Sequence, residues 1–121
     1  MDDLANRRIL VVEDEYWLAQ SLQDEFEEIG VAVIGPAPSV ERALSLIERE
    51  TVIDGAVLDL NLGGVMAYPV ADALVARRIP FIFTSGYESG PIRDRYPAVA
   101  SFEKPFTFSA LAQALASALS P

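Results

Sequence analysis

Ala56-Val57-Leu58-Asp59-Leu60-Asn61-Leu62-Gly63-Gly64 is an apolar run that ends on one carboxylate and then breaks into a loop holding two glycines. Ionising a carboxylate at the mouth of a hydrophobic strand is costly. Asp59 is therefore either a turn or capping residue, or a group placed there to react. The apolar run itself reads as a buried strand, and its neighbours on both sides decide the fold.

Upstream, Ile9-Leu10-Val11-Val12 and Val31-Ala32-Val33-Ile34 are strand-like, the second closed by Gly35-Pro36. Between them Leu18, Leu22, Phe26 and Ile29 share one helix face, with Asp24, Glu25, Glu27 and Glu28 largely outside, and Gly30 ends the helix. Ser39 caps a second helix whose inner stripe is Val40, Ala43, Leu44 and Ile47. Downstream, Pro69 suits the first turn of a third helix with Val70, Ala73 and Leu74 inward. Phe81-Ile82-Phe83 is a fourth strand, and residues 99–102 form a weaker fifth. Thr107 caps a last helix carrying Leu111, Leu115 and Ala118 or Leu119. The fourth helix, due between the last two strands, falls on Gly90-Pro91-Ile92-Arg93-Asp94-Arg95-Tyr96-Pro97. Two prolines hem it in, so it is expected to be short or irregular.

Strands alternating with helices predict an α/β fold: a doubly wound, five-stranded parallel sheet with helices on both faces. The flavodoxin-like order 2-1-3-4-5 fits five strands best, although the periodicity also admits other doubly wound orders. No repeat, linker or low-complexity stretch interrupts residues 1–121, which read as one domain.

Composition narrows the chemistry. Nine Lys and Arg against eighteen Asp and Glu give a formal charge of −9, which opposes binding to nucleic acid or to an anionic membrane. There is no cysteine and no histidine, so thiolate chemistry and the commonest metal ligand and general base are absent. Carboxylates, hydroxyls, lysine and backbone amides remain. The N-terminus shows no apolar signal region and no run reaches transmembrane length, which reads as cytoplasmic.

In a doubly wound sheet the ligand site lies beyond the carboxyl ends of the strands. Glu13-Asp14-Glu15 follows the first strand, Asp59 and Asn61 the third, Thr84-Ser85-Gly86 the fourth, and Lys104-Pro105 the fifth. In the order 2-1-3-4-5, Glu13, Asp14 and Asp59 converge, with Thr84 and Lys104 across the pocket. Three crowded carboxylates repel, and a hard divalent cation, Mg²⁺ in a cell, relieves that repulsion through oxygen ligands. The Thr84 hydroxyl, the Ser85 amide and the Lys104 ammonium are donors suited to a phosphoryl group. An ionised carboxylate nucleophile needs no base, so the set describes a phosphoryl-transfer site. Each signal also has a plain structural reading. Glu13-Asp14-Glu15 suits a helix N-terminus, Asp59 a turn, Thr84-Ser85-Gly86 a polar loop and Lys104 the solvated surface. Trp17 and Tyr87 read as packing residues.

Val11-Val12-Glu13-Asp14, Leu58-Asp59-Leu60-Asn61-Leu62, Phe83-Thr84-Ser85-Gly86 and Lys104-Pro105-Phe106, in this order and spacing, resemble a response-regulator receiver domain of two-component signalling. The resemblance covers residues 8 to about 119, so that 1–121 form a single receiver domain. It implies that Asp59 is the phosphoacceptor, taking a phosphoryl group from a histidine kinase or histidine phosphotransfer protein as an acyl phosphate. By the same resemblance Asp14 is a direct Mg²⁺ ligand, Glu13 acts through water, and Asp59 with the Asn61 carbonyl completes the protein ligands. Thr84 matches the hydroxyl that moves toward the phosphoryl group, and Lys104 the residue that neutralises its charge. Asn61 and Gly86 match positions that influence hydrolysis of the acyl phosphate.

Two features depart from the family. Receivers usually carry Tyr or Phe three residues before the lysine, and here that position is Ser101. Phe102 is adjacent but faces the other way if the segment is extended. Phe83-Thr84-Ser85-Gly86-Tyr87, with Ala67-Tyr68-Pro69-Val70-Ala71-Asp72-Ala73-Leu74 upstream, loosely resembles an atypical, often stand-alone receiver subfamily with a Phe-Ala-Thr-Gly-x-Tyr-like motif. Thr84, Tyr87 and Ser101 are thus the switch candidates, and phosphorylation is expected to order residues 87–97.

The leading reading is a phosphorylation-controlled switch or phosphate relay acting on a downstream protein target. The start at Met1 and the lack of a trailing linker favour a stand-alone protein over a receiver piece of a hybrid kinase or longer regulator. An aspartate-nucleophile phosphatase needs a second acid two residues after the nucleophile, where this chain has Asn61. A pseudo-receiver that only binds a partner would not need Asp59, Thr84 and Lys104 together.

Overall fold

In the computed structural model, which describes residues 2–86 and 94–120, the apolar runs become a parallel sheet and the periodic stretches become its covering helices. The elements of that layered core, in chain order, are β1 (Arg8–Val12), α1 (Tyr16–Glu28), β2 (Ala32–Ala37), α2 (Val40–Arg49) and β3 (Gly55–Asp59). A hairpin of β4 (Asn61–Leu62) and β5 (Val65–Met66) follows. Then come α3 (Tyr68–Ala76), β6 (Phe81–Ser85), β7 (Ser101–Glu103) and α4 (Phe108–Leu119). The sheet order is β2-β1-β3-β6-β7 with every neighbouring pair parallel. This is the order 2-1-3-4-5 of the flavodoxin-like fold.

Successive side chains on each strand alternate between two cores. Leu10, Val12, Ala56, Leu58, Phe81 and Phe83 pack under α2 and α3, whereas Ile9, Val11, Val57 and Ile82 pack under α1 and α4. The central strands β3 and β6 are buried along their whole length, which explains their unbroken apolar sequence. Ser39 and Thr107 cap α2 and α4 as expected, accepting from the amides of Arg42 and Ala110. The helix faces differ in detail. Leu46 rather than Leu44 is fully buried in α2, and Ala71 rather than Ala73 in α3.

Three local expectations need correction. Gly35-Pro36 does not close β2; the strand runs through it to Ala37. An edge strand tolerates the missing proline donor, and a bulge there lets three steps on β2 match two on β1. Gly35 is required at that bulge. Its φ is +93°, and a Cβ would lie 2.7 Å from the Ala37 nitrogen. Second, Asn61 to Met66 is a hairpin and not a loop. Gly63 and Gly64, at φ +61° and +89°, make the two-residue turn that such hairpins favour. Third, the fifth sheet strand is Ser101–Glu103, later than the expected 99–102.

Residues 87–93 lie outside the described residues. Tyr87, and with it residues 90–93 of the expected fourth helix, is therefore not characterised. No described helix is long and apolar enough to cross a membrane.

Candidate functional site

The carboxyl ends of β1, β3, β6 and β7 bring the predicted residues together. Glu13 follows β1, and its amide bonds to the Ala37 carbonyl at the end of the bulged β2, 3.0 Å away. Asp59 ends β3 directly beside Thr84 in the ladder. All three side chains are almost fully buried: Glu13 and Asp59 at 2% exposure, Thr84 at 1%. Ser85, also buried, accepts the Lys104 amide on its carbonyl at 2.7 Å, which fixes Lys104 at the end of β7.

The acidic triplet divides into two jobs. Glu15 is the N-cap of α1, its carboxylate accepting from the amides of Trp17 and Leu18. This is the structural reading, and it holds for Glu15 alone. Glu13, Asp14 and Asp59 each offer an oxygen within 4.8 Å of the others. Coulomb repulsion at such spacing is strong away from bulk water.

Lys104 answers part of that charge. Its ammonium lies 2.9 Å from Asp59 Oδ2 and 3.0 Å from Glu13 Oε1. The contact to Asp59 is a hydrogen bond. The contact to Glu13 is close enough for an ion pair but leaves Oε1 buried without an aligned hydrogen-bond partner. Burial pushes the Glu13 carboxyl up to about 7; the Asp59 charge adds to this, while the Glu15 amide and Lys104 pull it back. Burial alone would lower the Lys104 ammonium, yet the hydrogen bond to Asp59 and the nearby charges of Asp59 and Glu13 leave it raised. One cation thus serves two buried anions, with the exposed Asp14 beside them. An orphaned oxygen, an oxygen-only donor set and open access at Asp14 fit a hard divalent cation that retains several waters.

The hairpin supports this arrangement in a way that sequence reasoning missed. The Gly63 amide donates to Asp14 Oδ2 at 2.8 Å, and the Asn61 amide to Asp59 Oδ1 at 3.1 Å. Asn61 spends its own side-chain oxygen on the Gly64 amide, 2.7 Å away. The Asn61 side chain therefore braces the turn. The signal was the Gly-Gly pair between Leu62 and Val65, which is hairpin chemistry and not merely a break. Trp17 was expected to pack; instead it is 75% exposed, edge-on to Tyr16 at the start of α1. Of the switch candidates, Thr84 stands at the site. Ser101 pairs with Phe83 one ladder step away, and Phe102 does turn to the opposite core.

No protein-family model matches the chain, and no curated protein does. Solved structures do match. The receiver domain of HemR from Leptospira biflexa is 27% identical over 96% of each chain, with a TM-score of 0.79. SdrG from Pseudomonas melonis Fr1, in its BeF3-activated conformation, is 38% identical over 96% of this chain and 98% of that one, with a TM-score of 0.72. The chain belongs to the response-regulator receiver domains. A response regulator receiver protein from Sinorhizobium medicae WSM419 shares the receiver fold at a TM-score of 0.84. It is 24% identical, over 94% of each chain. Within the receiver fold, the carboxylates described above occupy the mouth of the sheet, where a doubly wound domain binds its ligand.

Proposed function

We propose that this receiver domain accepts a phosphoryl group on Asp59, from a histidine kinase or a histidine phosphotransfer protein, in a cytoplasmic phosphorelay. The observation that carries the reading is the buried Asp59 carboxylate, flanked by two further carboxylates and held by Lys104. Glu13, Asp14 and Asp59, with the Asn61 carbonyl, would hold Mg²⁺. When bound, the ion would neutralise carboxylate and phosphoryl charge.

The chain's own groups supply the rest. Asp59 Oδ1 is oriented by the Asn61 amide and Oδ2 by Lys104, so the carboxylate is fixed before a donor arrives. An Asp59 oxygen attacks phosphorus, the donor's P–N bond breaks, and the departing imidazole nitrogen takes a proton from solvent. Lys104 then follows the charge from the carboxylate to the new phosphoryl oxygens. Two hydroxyls end β6. Thr84 shares the Asp59 ladder step, whereas Ser85 is tied through its carbonyl to Lys104. Adjacent residues of a strand face opposite ways, so one of the two hydroxyls faces the phosphoryl group, and Thr84→Ala and Ser85→Ala separate them. The likeness to SdrG, whose BeF3-activated form is known, supports a beryllofluoride-responsive site here. Ser101 in place of an aromatic supports an atypical receiver. The output is a changed contact with a downstream protein.

The test is Mg²⁺-dependent incorporation of phosphate from acetyl phosphate into the wild type and Asp59→Asn. Label in the wild type with Mg²⁺ alone is expected. Unlabelled wild type, or label that persists in the variant, contradicts the proposal.

A further inference from the structure

The residue that stands against the readout side of β6 is Tyr96. Its ring meets Phe83 edge-to-face at 5.6 Å and Phe81 at 6.3 Å, and the side chain is nine-tenths buried. Phe83 in turn pairs with Ser101 and directly precedes Thr84 on the strand. Tyr96 thus supplies an aromatic ring on the same core face as Ser101, from a different part of the chain.

Tyr96 is also tethered. Its hydroxyl donates to Asp72 Oδ1 on α3. Arg95 bonds to the other oxygen of Asp72 at 2.8 Å, with its guanidinium 4.8 Å above the Tyr68 ring and 5.5 Å from the ring of Tyr96. Burial first, and then the hydrogen bond to Asp72, raise the Tyr96 phenol to about 12, so it remains a donor at neutral pH. The bonds to Asp72 join residues separated by 23 and 24 positions. They exist only while this flank is seated on α3.

We infer that Tyr96, Arg95 and Asp72 form a latch that holds the arrangement in which Lys104 is bonded to the Asp59 carboxylate, and that Tyr96 replaces the missing aromatic at Ser101 as the ring that reports the state of β6. This rests on the proposed phosphoacceptor role of Asp59. Movement of the hydroxyl at the end of β6 toward a phosphoryl group shifts Phe83, the ring on which Tyr96 leans. Close-packed rings respond by changing packing and not by stretching. Because the latch favours one state, it opposes activation by the worth of its bonds, and its removal should favour phosphoryl loading.

The experiment is beryllofluoride titration of the full chain with Mg²⁺, followed by NMR of ring-labelled tyrosine and of backbone amides. Tyr96→Phe and Asp72→Ala serve as two independent ways to open the latch. The latch predicts that Tyr96 ring signals move on loading and that both variants bind beryllofluoride about three- to tenfold more tightly, the effect of one hydrogen bond. Amides at Asp59 and Gly63 that shift while the Tyr96 ring stays still would overturn the latch and leave the phosphoacceptor reading intact. Unchanged or weaker affinity in both variants would do the same. No shift around Asp59 would overturn both.

Discussion

Two polar clusters flank β6, one largely buried and one half exposed, and they are balanced differently. At the mouth of the sheet two buried carboxylates share one lysine beside a third carboxylate, and a buried Glu13 oxygen has no aligned donor. On the α3 flank one carboxylate, Asp72, receives both an arginine and a tyrosine hydroxyl. The first cluster is short of positive charge and so invites a cation and a reaction. The second is already satisfied and so favours staying as it is. Excess anion at one cluster and completed pairing at the other are what a site and a latch require.

The largest effect concerns the frame that carries the first cluster. Gly35→Ala places a Cβ against the Ala37 nitrogen at a positive φ. It should cost about 3 kcal/mol in urea unfolding. Because Ala37 holds the Glu13 amide, metal affinity should fall with it. A cost below about 1 kcal/mol would show that the bulge is not rigid.

That bulge also shows what the sequence does and does not display. The alternation of strand and helix follows from apolar period, and the strand ends therefore located Glu13, Asp14, Asp59, Thr84, Ser85 and Lys104 without coordinates. Gly35-Pro36 read as a stop because local sequence cannot reveal that β2 is an edge strand. The brace from Gly63 to Asp14 spans 49 residues. The tie between Tyr96 and Asp72 likewise depends on tertiary neighbours. No spacing rule anticipates either contact. Trp17 was misread because an aromatic at helix spacing usually packs, and only the orientation of α1 shows that this one faces solvent.

Lys104→Met should destabilise the fold by about 2 kcal/mol, since it leaves Glu13 and Asp59 buried without their cation. Added Mg²⁺ should recover part of that loss, and a melt insensitive to Mg²⁺ would separate the cluster from metal binding. Glu13→Gln runs the other way. Removing one charge from a crowded, buried set should stabilise the metal-free protein by about 1 kcal/mol at neutral pH while weakening Mg²⁺ binding. Destabilisation in the absence of metal would mean that the Lys104 pairing outweighs the burial of Glu13.

The smallest effect belongs to the balanced cluster. Tyr96→Phe removes one hydrogen bond to a partly exposed carboxylate and should cost about 1 kcal/mol. The alkaline limb gives the sign. The folded phenol is pushed up to about 12 from its ordinary 10.0. Its contribution is therefore complete below pH 10 and lost as pH rises from 10 through 12, because the unfolded chain releases its proton first. Stability of the wild type and the phenylalanine variant should converge over that window. A constant difference would mean that the hydroxyl does not stay protonated in the fold.

The most direct test of the account is chemical trapping of the acyl phosphate, by borohydride reduction and peptide mapping after exposure to acetyl phosphate. The account predicts a single reduced residue at Asp59, formed with Mg²⁺ and absent without it. Modification at Glu13 or Asp14, or none at Asp59 when Mg²⁺ is present, would contradict it.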